Sequence, residues 1–197
     1  MSTDAETIAV YDARAAEYAD MTEPEERNTA LAAFIAALPA GGAVLDLGCG
    51  PGHASAVMAD AGLQVSATDA SAEMVALAAR HPGVTARRMT FDEITGRAVY
   101  DGIWANFSLL HAPRTDMPRY LAALHAALKP GGLLHIGLKT GEGEKRDGIG
   151  RLYTYYTEAE IRTLLANAGF TVTSQRTGSD LGLDGTIAPW ITLAAHA

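Results

Sequence analysis

The sequence predicts an α/β fold: a parallel sheet with helices packed on both faces. Three observations predict it. A short apolar run, residues 43–47, leads straight into glycines at alternate positions, Gly48, Gly50 and Gly52, and a helix-compatible segment, residues 54–59, follows. Strand, tight turn and helix in that order form the first unit of a nucleotide-type fold. Apolar runs then alternate with helical segments along most of the chain. Finally, acids mark the first two runs: Asp46 inside one, and Asp69 closing the other, Val65-Ser66-Ala67-Thr68-Asp69.

The elements follow in order. Residues 4–19 carry Ile8, Tyr11, Ala15 and Tyr18 at helical spacing. Pro24 marks a break and suits the first turn of a second helix through Leu38, which Pro39-Ala40-Gly41-Gly42 ends. The first strand is 43–47, with its helix at 52–61 and Gly62 closing it; the second is 64–68. Ser71 suits the N-cap of a helix over 72–80, since its hydroxyl can accept an unpaired first-turn amide. Strands are expected at 84–89 and 100–105, and a helix at 115–128 ends in the turn signal Lys129-Pro130-Gly131-Gly132. A strand at 133–138 leads to a polar, glycine-rich loop at 139–150, then a helix at 158–168 capped by Gly169. Two closing strands, 170–176 and 189–195, have no helix between them, which suggests that the last one is reversed.

In such a sheet a ligand sits beyond the carboxyl ends of the strands, near the switch in strand order. A dinucleotide fingerprint would want glycine or alanine where His53 stands, and Pro51 interrupts the turn. The run Asp46-Leu47-Gly48-Cys49-Gly50-Pro51-Gly52 instead resembles motif I of the class I S-adenosylmethionine (SAM) dependent methyltransferases, and Asp69 resembles their ribose-binding acid. The resemblance covers roughly residues 4–170. It implies a Rossmann-like, doubly wound, seven-stranded sheet of order 3-2-1-4-5-7-6 with the last strand antiparallel. It also implies one domain over 1–197, with 1–40 as N-terminal helices forming a lid and 41–197 as core.

The same resemblance implies the site. Asp46, Gly48, Gly50 and Gly52 would bracket the methionine part of SAM, Asp69 would accept both ribose hydroxyls, Ala70 would belong to the same cofactor site, and Met74 would flank the adenine. Thr90 and Phe91 follow the third strand on the adenine edge; the family often has an acid at the position of Thr90. Asn106 and Phe107 end the fourth strand beside the methionine moiety, and Tyr11 and Tyr18 occupy the lid segment. His111, just past the fourth strand, is a candidate general base because imidazole titrates near neutrality. Arg151, beside Tyr153 and Tyr155, is a candidate for holding an anionic group on the acceptor. No metal is expected. The implied reaction is in-line displacement of the sulfonium methyl by a small-molecule nucleophile, leaving S-adenosylhomocysteine. The rival readings are a tRNA or protein methylase, a non-catalytic SAM-binding protein and, further off, an NAD-dependent oxidoreductase.

Composition narrows the partners. At 197 residues the chain suits one domain with a full core. A formal charge of −8 argues against nucleic acid, which calls for a basic face. The single Cys49 cannot form an internal disulfide, and no cysteine–histidine spacing suggests zinc. The start has no basic segment followed by an apolar one, so no signal peptide is expected. The apolar run at 31–38 falls well short of the ~18 residues of a membrane span. A reducing cytoplasm is the expected compartment.

Overall fold

The computed structural model describes residues 4–22 and 29–197; Pro24 lies outside them. Its main sheet joins β1 (Ala43–Leu47), β2 (Gln64–Asp69), β3 (Val84–Arg88), β4 (Tyr100–Asn106), β5 (Leu128–Lys139), β8 (Thr171–Leu181) and β9 (Ile187–His196). Their order is β3-β2-β1-β4-β5-β9-β8. The first five strands pair in parallel, and β9 runs antiparallel to both β5 and β8. This is the expected order, with β8 and β9 in the places of strands six and seven. The numbering differs because β6 (Glu144–Arg146) and β7 (Leu152–Thr154) form a separate antiparallel ribbon inside the expected loop. Three-residue polar strands carry too little alternation to be read from sequence.

The helices are α1 (Ala5–Ala13), α2 (Ala15–Met21), α3 (Thr29–Ala36), α4 (His53–Asp60), α5 (Ala72–Ala78), α6 (Met117–Ala127) and α7 (Glu158–Asn167). The single helix expected over 4–19 is broken at Arg14, whose φ of −120° and ψ of 22° leave the helical well. Asp4 caps α1 by accepting from the Thr7 amide, and Ser71 caps α5 through the Met74 amide, as its sequence position suggested. Among the described residues no helix is long and apolar enough to cross a membrane.

Strand alternation divides the core into two layers. Leu45, Leu47, Ile103, Leu134, Ile136 and Leu138 face α6 and α7, meeting Tyr120, Leu121, Leu124, Ile161 and Leu165. Val44, Val65 and Trp104 face the other way, onto Leu31 and Phe34 of α3 and Ala54 and Met58 of α4. Burial on both faces is what a parallel sheet requires, and each fully buried aliphatic or aromatic side chain contributes about 1.5–3 kcal/mol. Two boundaries moved. The expected turn at 129–132 is an irregularity within β5, where the pairing with β4 shifts after Tyr100, and the closing hairpin runs on to Leu181 and Ile187. Its outer strand β8 is largely exposed and polar, so no apolar alternation marked its end.

Candidate active site

β1 and β4 adjoin at the centre of the sheet, and strand order reverses there. The glycine turn leaves β1 at this point. Its Gly48 and Cys49 amides both donate to the Thr68 carbonyl of β2, at 2.7 and 2.9 Å. Gly48, Gly50 and Gly52 all have positive φ, 72°, 52° and 87°, the region where a Cβ is costly. The turn opens onto a cleft with about 770 Å³ of empty space, its solvent-filled mouth included.

Tyr11, Tyr18, Gly48, Gly50, Asp69, Ala70, Met74, Phe91, Asn106, Phe107 and His111 line this cleft. Asp69 ends β2 with its carboxylate between two amides, Gly50 at 3.0 Å and Ser71 at 2.9 Å. Burial nonetheless raises its pKa above the usual carboxylate value, against the lowering effect of those amides. Phe107 is one of two non-glycine residues at positive φ among the described residues, at 55°. Such strain costs about 1–3 kcal/mol and collects at functional sites.

Three expected cofactor residues lie off the cleft wall. Asp46 is 2% exposed and accepts a 2.6 Å hydrogen bond from the Ser55 hydroxyl of α4. A strand residue inside the sheet points to one face, and this one points to the face that α4 covers. Gly52 is a packing glycine, since a Cβ there would meet Ala78 of α5 at 2.8 Å. Thr90 is turned to its own loop, where it forms a capping box with Glu93.

Arg151, Tyr153 and Tyr155 are likewise absent from the cleft lining. Arg151, expected to face an acceptor, is 2% exposed and already engaged. Its guanidinium pairs with Asp147 at 2.8 Å and donates to the Tyr11 hydroxyl at 3.0 Å. A guanidinium buried in this way needs a carboxylate, and Asp147, four residues back, supplies it. Tyr153 packs against His111 with ring centroids 4.7 Å apart, and Tyr155 lies 6.2 Å beyond Tyr153.

The lining also includes Met89, which precedes Thr90 and Phe91 in the segment expected on the adenine edge, and Asp4, Thr7, Ile8, Ser71 and Ser108, which sequence reasoning missed. Ser108 Oγ is buried without a partner among the described residues, and a Cβ on Gly48 would lie 2.2 Å from its Cβ. Only tertiary contact signals the missed residues. The α1 helix is tied down by them: Thr7 Oγ1 accepts from the Leu152 amide at 2.8 Å, and Asp12 accepts from Ser71 Oγ at 2.6 Å.

His111 has a defined tautomer. Its Nδ1 lies 2.6 Å from the Leu152 carbonyl, which can only accept, so Nδ1 carries the proton. Nε2 then accepts from the Tyr11 hydroxyl at 2.9 Å. Burial pushes the His111 pKa down to about 4, and pushes His135, stacked on Trp104 at 3.7 Å, down to about 3. Both imidazoles are neutral in the fold at neutral pH. Unfolded, they protonate below about 6.5, so the unfolded chain then binds more protons and stability falls with falling pH. Asp69, with its raised pKa, acts in the opposite sense and Asp4, lowered by Arg146, in the same sense at lower pH. The expected result is a loss of order 3 kcal/mol per histidine between pH 6.5 and 4. Urea unfolding across that range should show His111→Gln losing about one proton of the slope. An unchanged slope would show that His111 is not held neutral.

The methyltransferase domain family matches residues 23–175. Trans-aconitate 2-methyltransferase of Delftia acidovorans is 34% identical over 131 residues, 60% of this chain and 47% of that protein. The chain spans about half the length of the curated relatives it matches. Among solved structures, the 1,6-didemethyltoxoflavin-N1-methyltransferase of Burkholderia thailandensis, with bound 1,6-didemethyltoxoflavin and S-adenosylhomocysteine, is 26% identical. It superposes with a TM-score of 0.72, covering 100% of this chain and 91% of that one. The [4+2]-cyclase SpnF shares the fold at 18% identity, with a TM-score of 0.73 and coverage of 100% and 97%.

Proposed function

Because the chain belongs to the class I SAM-dependent methyltransferase family, we propose that it transfers a methyl group from SAM to a small-molecule acceptor by in-line displacement. The observation that carries this reading is the placement of Asp69. Its carboxylate stands at the end of β2, oriented by amides of the glycine turn and of α5, on the wall of a cleft at the switch point of the sheet. The surrounding residues fit SAM. A carboxylate suits a ribose diol, Met74, Met89 and Phe91 offer an apolar slot for a flat ring, and the unpartnered Ser108 hydroxyl suits a polar end.

SAM, when bound, supplies a methyl on a sulfonium whose departure needs no proton. The chain's own residues therefore chiefly orient, and orientation contributes up to about 7–11 kcal/mol in well-aligned systems. Gly48 and Gly50 give the ligand a bare backbone to approach, while Asp46 and Gly52 brace that turn. Asn106 and Phe107 would hold the methionine end of SAM and Ala70 would adjoin the cofactor, while Thr90 caps the loop that carries Phe91. Tyr11 and Tyr18, ring to ring at 5.5 Å, close the mouth against water. His111 Nε2 accepts from the Tyr11 hydroxyl and so positions the lid; burial that holds its pKa at about 4 makes it a weak base, against the near-neutral titration expected of it.

On this reading residues 1–197 act as one domain, with 1–40 as lid and 41–197 as core, in a reducing cytoplasm. A small acceptor is supported by two similar proteins, named for trans-aconitate and for 1,6-didemethyltoxoflavin, and by the net charge of −8. SpnF, named as a cyclase, shows that the fold does not dictate the reaction. Thermal melts with SAM, S-adenosylhomocysteine, NAD and NADP test the reading. At a hundredfold excess over Kd a ligand stabilises by about 2.7 kcal/mol, roughly 5–10 °C here at about 2–4 °C per kcal/mol. The first two should raise Tm. A rise with NAD or NADP alone would overturn the assignment.

A further inference from the structure

A second wall stands behind the cleft. Phe107 and His111 line the cleft, and each meets an aromatic ring on its other side. Phe107 lies edge-on to Trp190, centroids 6.2 Å apart, and His111 lies 4.7 Å from Tyr153. Lys139, the last residue of β5, completes this wall. It is the register partner of Trp190 on β9, and such partners stand side by side on one face. Its ammonium sits 4.0 Å from the Tyr153 ring centroid. Two glycines on the same face make room for the rings: a Cβ on Gly137 would lie 3.5 Å from the Phe107 ring, and one on Gly178 would lie 2.3 Å from the Trp190 indole.

Two donors here lack acceptors among the described residues. Lys139 is half-buried, and Asp184 and Asp147 attract it only through space, while Arg151 and Lys145 repel it. Neither acid is free to turn to it. Asp147 holds Arg151, and Asp184 accepts from the amide and hydroxyl of Thr186. The Trp190 indole N–H is buried with no partner. Burying a cation without a counter-ion is costly, and desolvation accordingly holds the Lys139 pKa below the usual lysine value. Arg151, by contrast, has its carboxylate inside the protein. Of these two cations, Lys139 is the one that has no ion pair among the described residues.

We propose that Lys139 and the rings of Phe107 and Trp190 form the acceptor subsite, with the buried Tyr153 ring holding the Lys139 ammonium from behind, and that it takes a planar acid, an aromatic or conjugated carboxylate. The flat part packs against the rings, and the carboxylate meets the ammonium. This rests on the methyl-transfer reading of the adjoining cleft. The test titrates the protein, loaded with S-adenosylhomocysteine, with benzoate and with its neutral isostere benzamide, following heat and tryptophan fluorescence. Benzoate should bind at least about tenfold more tightly than benzamide, the effect of one charge-assisted contact. Lys139→Gln should erase that difference, and Lys139→Arg should restore part of it. Benzoate binding no more tightly than benzamide, or not at all, overturns the proposal, as does a Lys139→Gln protein with wild-type benzoate affinity. S-adenosylhomocysteine affinity is measured first on each protein and should be the same. Its absence in the wild type would remove the methyl-transfer reading itself, whereas its presence without discrimination between the two probes removes only the Lys139 subsite.

Discussion

Replacing Gly50 by Val is expected to abolish S-adenosylhomocysteine binding while leaving a folded protein. Gly50 has φ of 52°, and an ideal Cβ there meets only Tyr18 Cε1, at 3.5 Å. That is an ordinary contact, so the protein itself has room for a side chain, and the added atoms project into the cleft that Gly50 lines. A branched residue at positive φ costs about 1–3 kcal/mol of stability, within the usual margin of about 5–15 kcal/mol. The lost volume and lost backbone approach together should weaken binding more than a hundredfold, a change of about 2.7 kcal/mol or more. Gly48→Ala is the contrasting variant. Its Cβ would lie 2.2 Å from the Ser108 Cβ, with Ser108 on the backbone that ends β4. Calorimetry and thermal melts together should show Gly50→Val losing binding with a modest fall in Tm, and Gly48→Ala losing the fold. Native affinity in Gly50→Val would take the turn out of the site.

The second large effect is at Asp69. Removing a hydrogen-bond acceptor that carries charge costs roughly 1.5–3 kcal/mol, so Asp69→Ala should raise the Kd of S-adenosylhomocysteine about ten- to a hundredfold. The structure adds a second consequence. The same carboxylate accepts from the Gly50 and Ser71 amides, so the alanine variant also leaves two donors unpaired and loosens the turn. A fall in stability of about 1–3 kcal/mol is expected alongside the loss of binding. Asp69→Asn separates the two. Its amide oxygen can serve one backbone donor, while paired acceptance from a ribose diol is gone. The asparagine variant should therefore melt closer to the wild type and still bind poorly. Calorimetry returning an unchanged Kd for a folded Asp69→Asn protein would exclude Asp69 as the ribose acid.

What the sequence determined was local. Gly48, Gly50 and Gly52 after an apolar run could be read as a turn because positive φ is a property of single residues. The alternation of strand and helix followed from apolar periodicity, and Ser71 as a cap followed from its place before a helix. These are statements about neighbours in the chain, so the parallel sheet was legible from them, whereas its strand order, and with it the switch point, was implied only by the family resemblance. Asp69 was legible for the same reason, as an acid at a strand end beside that turn.

Tertiary structure decided what depends on partners far apart in sequence. Asp46 and Asp69 look alike in the chain, yet Ser55 draws one to the face that α4 covers while the amides of Gly50 and Ser71 hold the other on the cleft wall. The lid helix breaks at Arg14, with its first half tied to Ser71 and Leu152 through Asp12 and Thr7. Arg151 and Lys139 are both cations near tyrosines. Only the fold shows that Asp147 neutralises the first and that no carboxylate among the described residues pairs with the second. The physical reason is common to all of these. Backbone conformation is constrained by adjacent residues, whereas a charge or hydroxyl taken out of water is governed by whichever group the fold brings within hydrogen-bond reach.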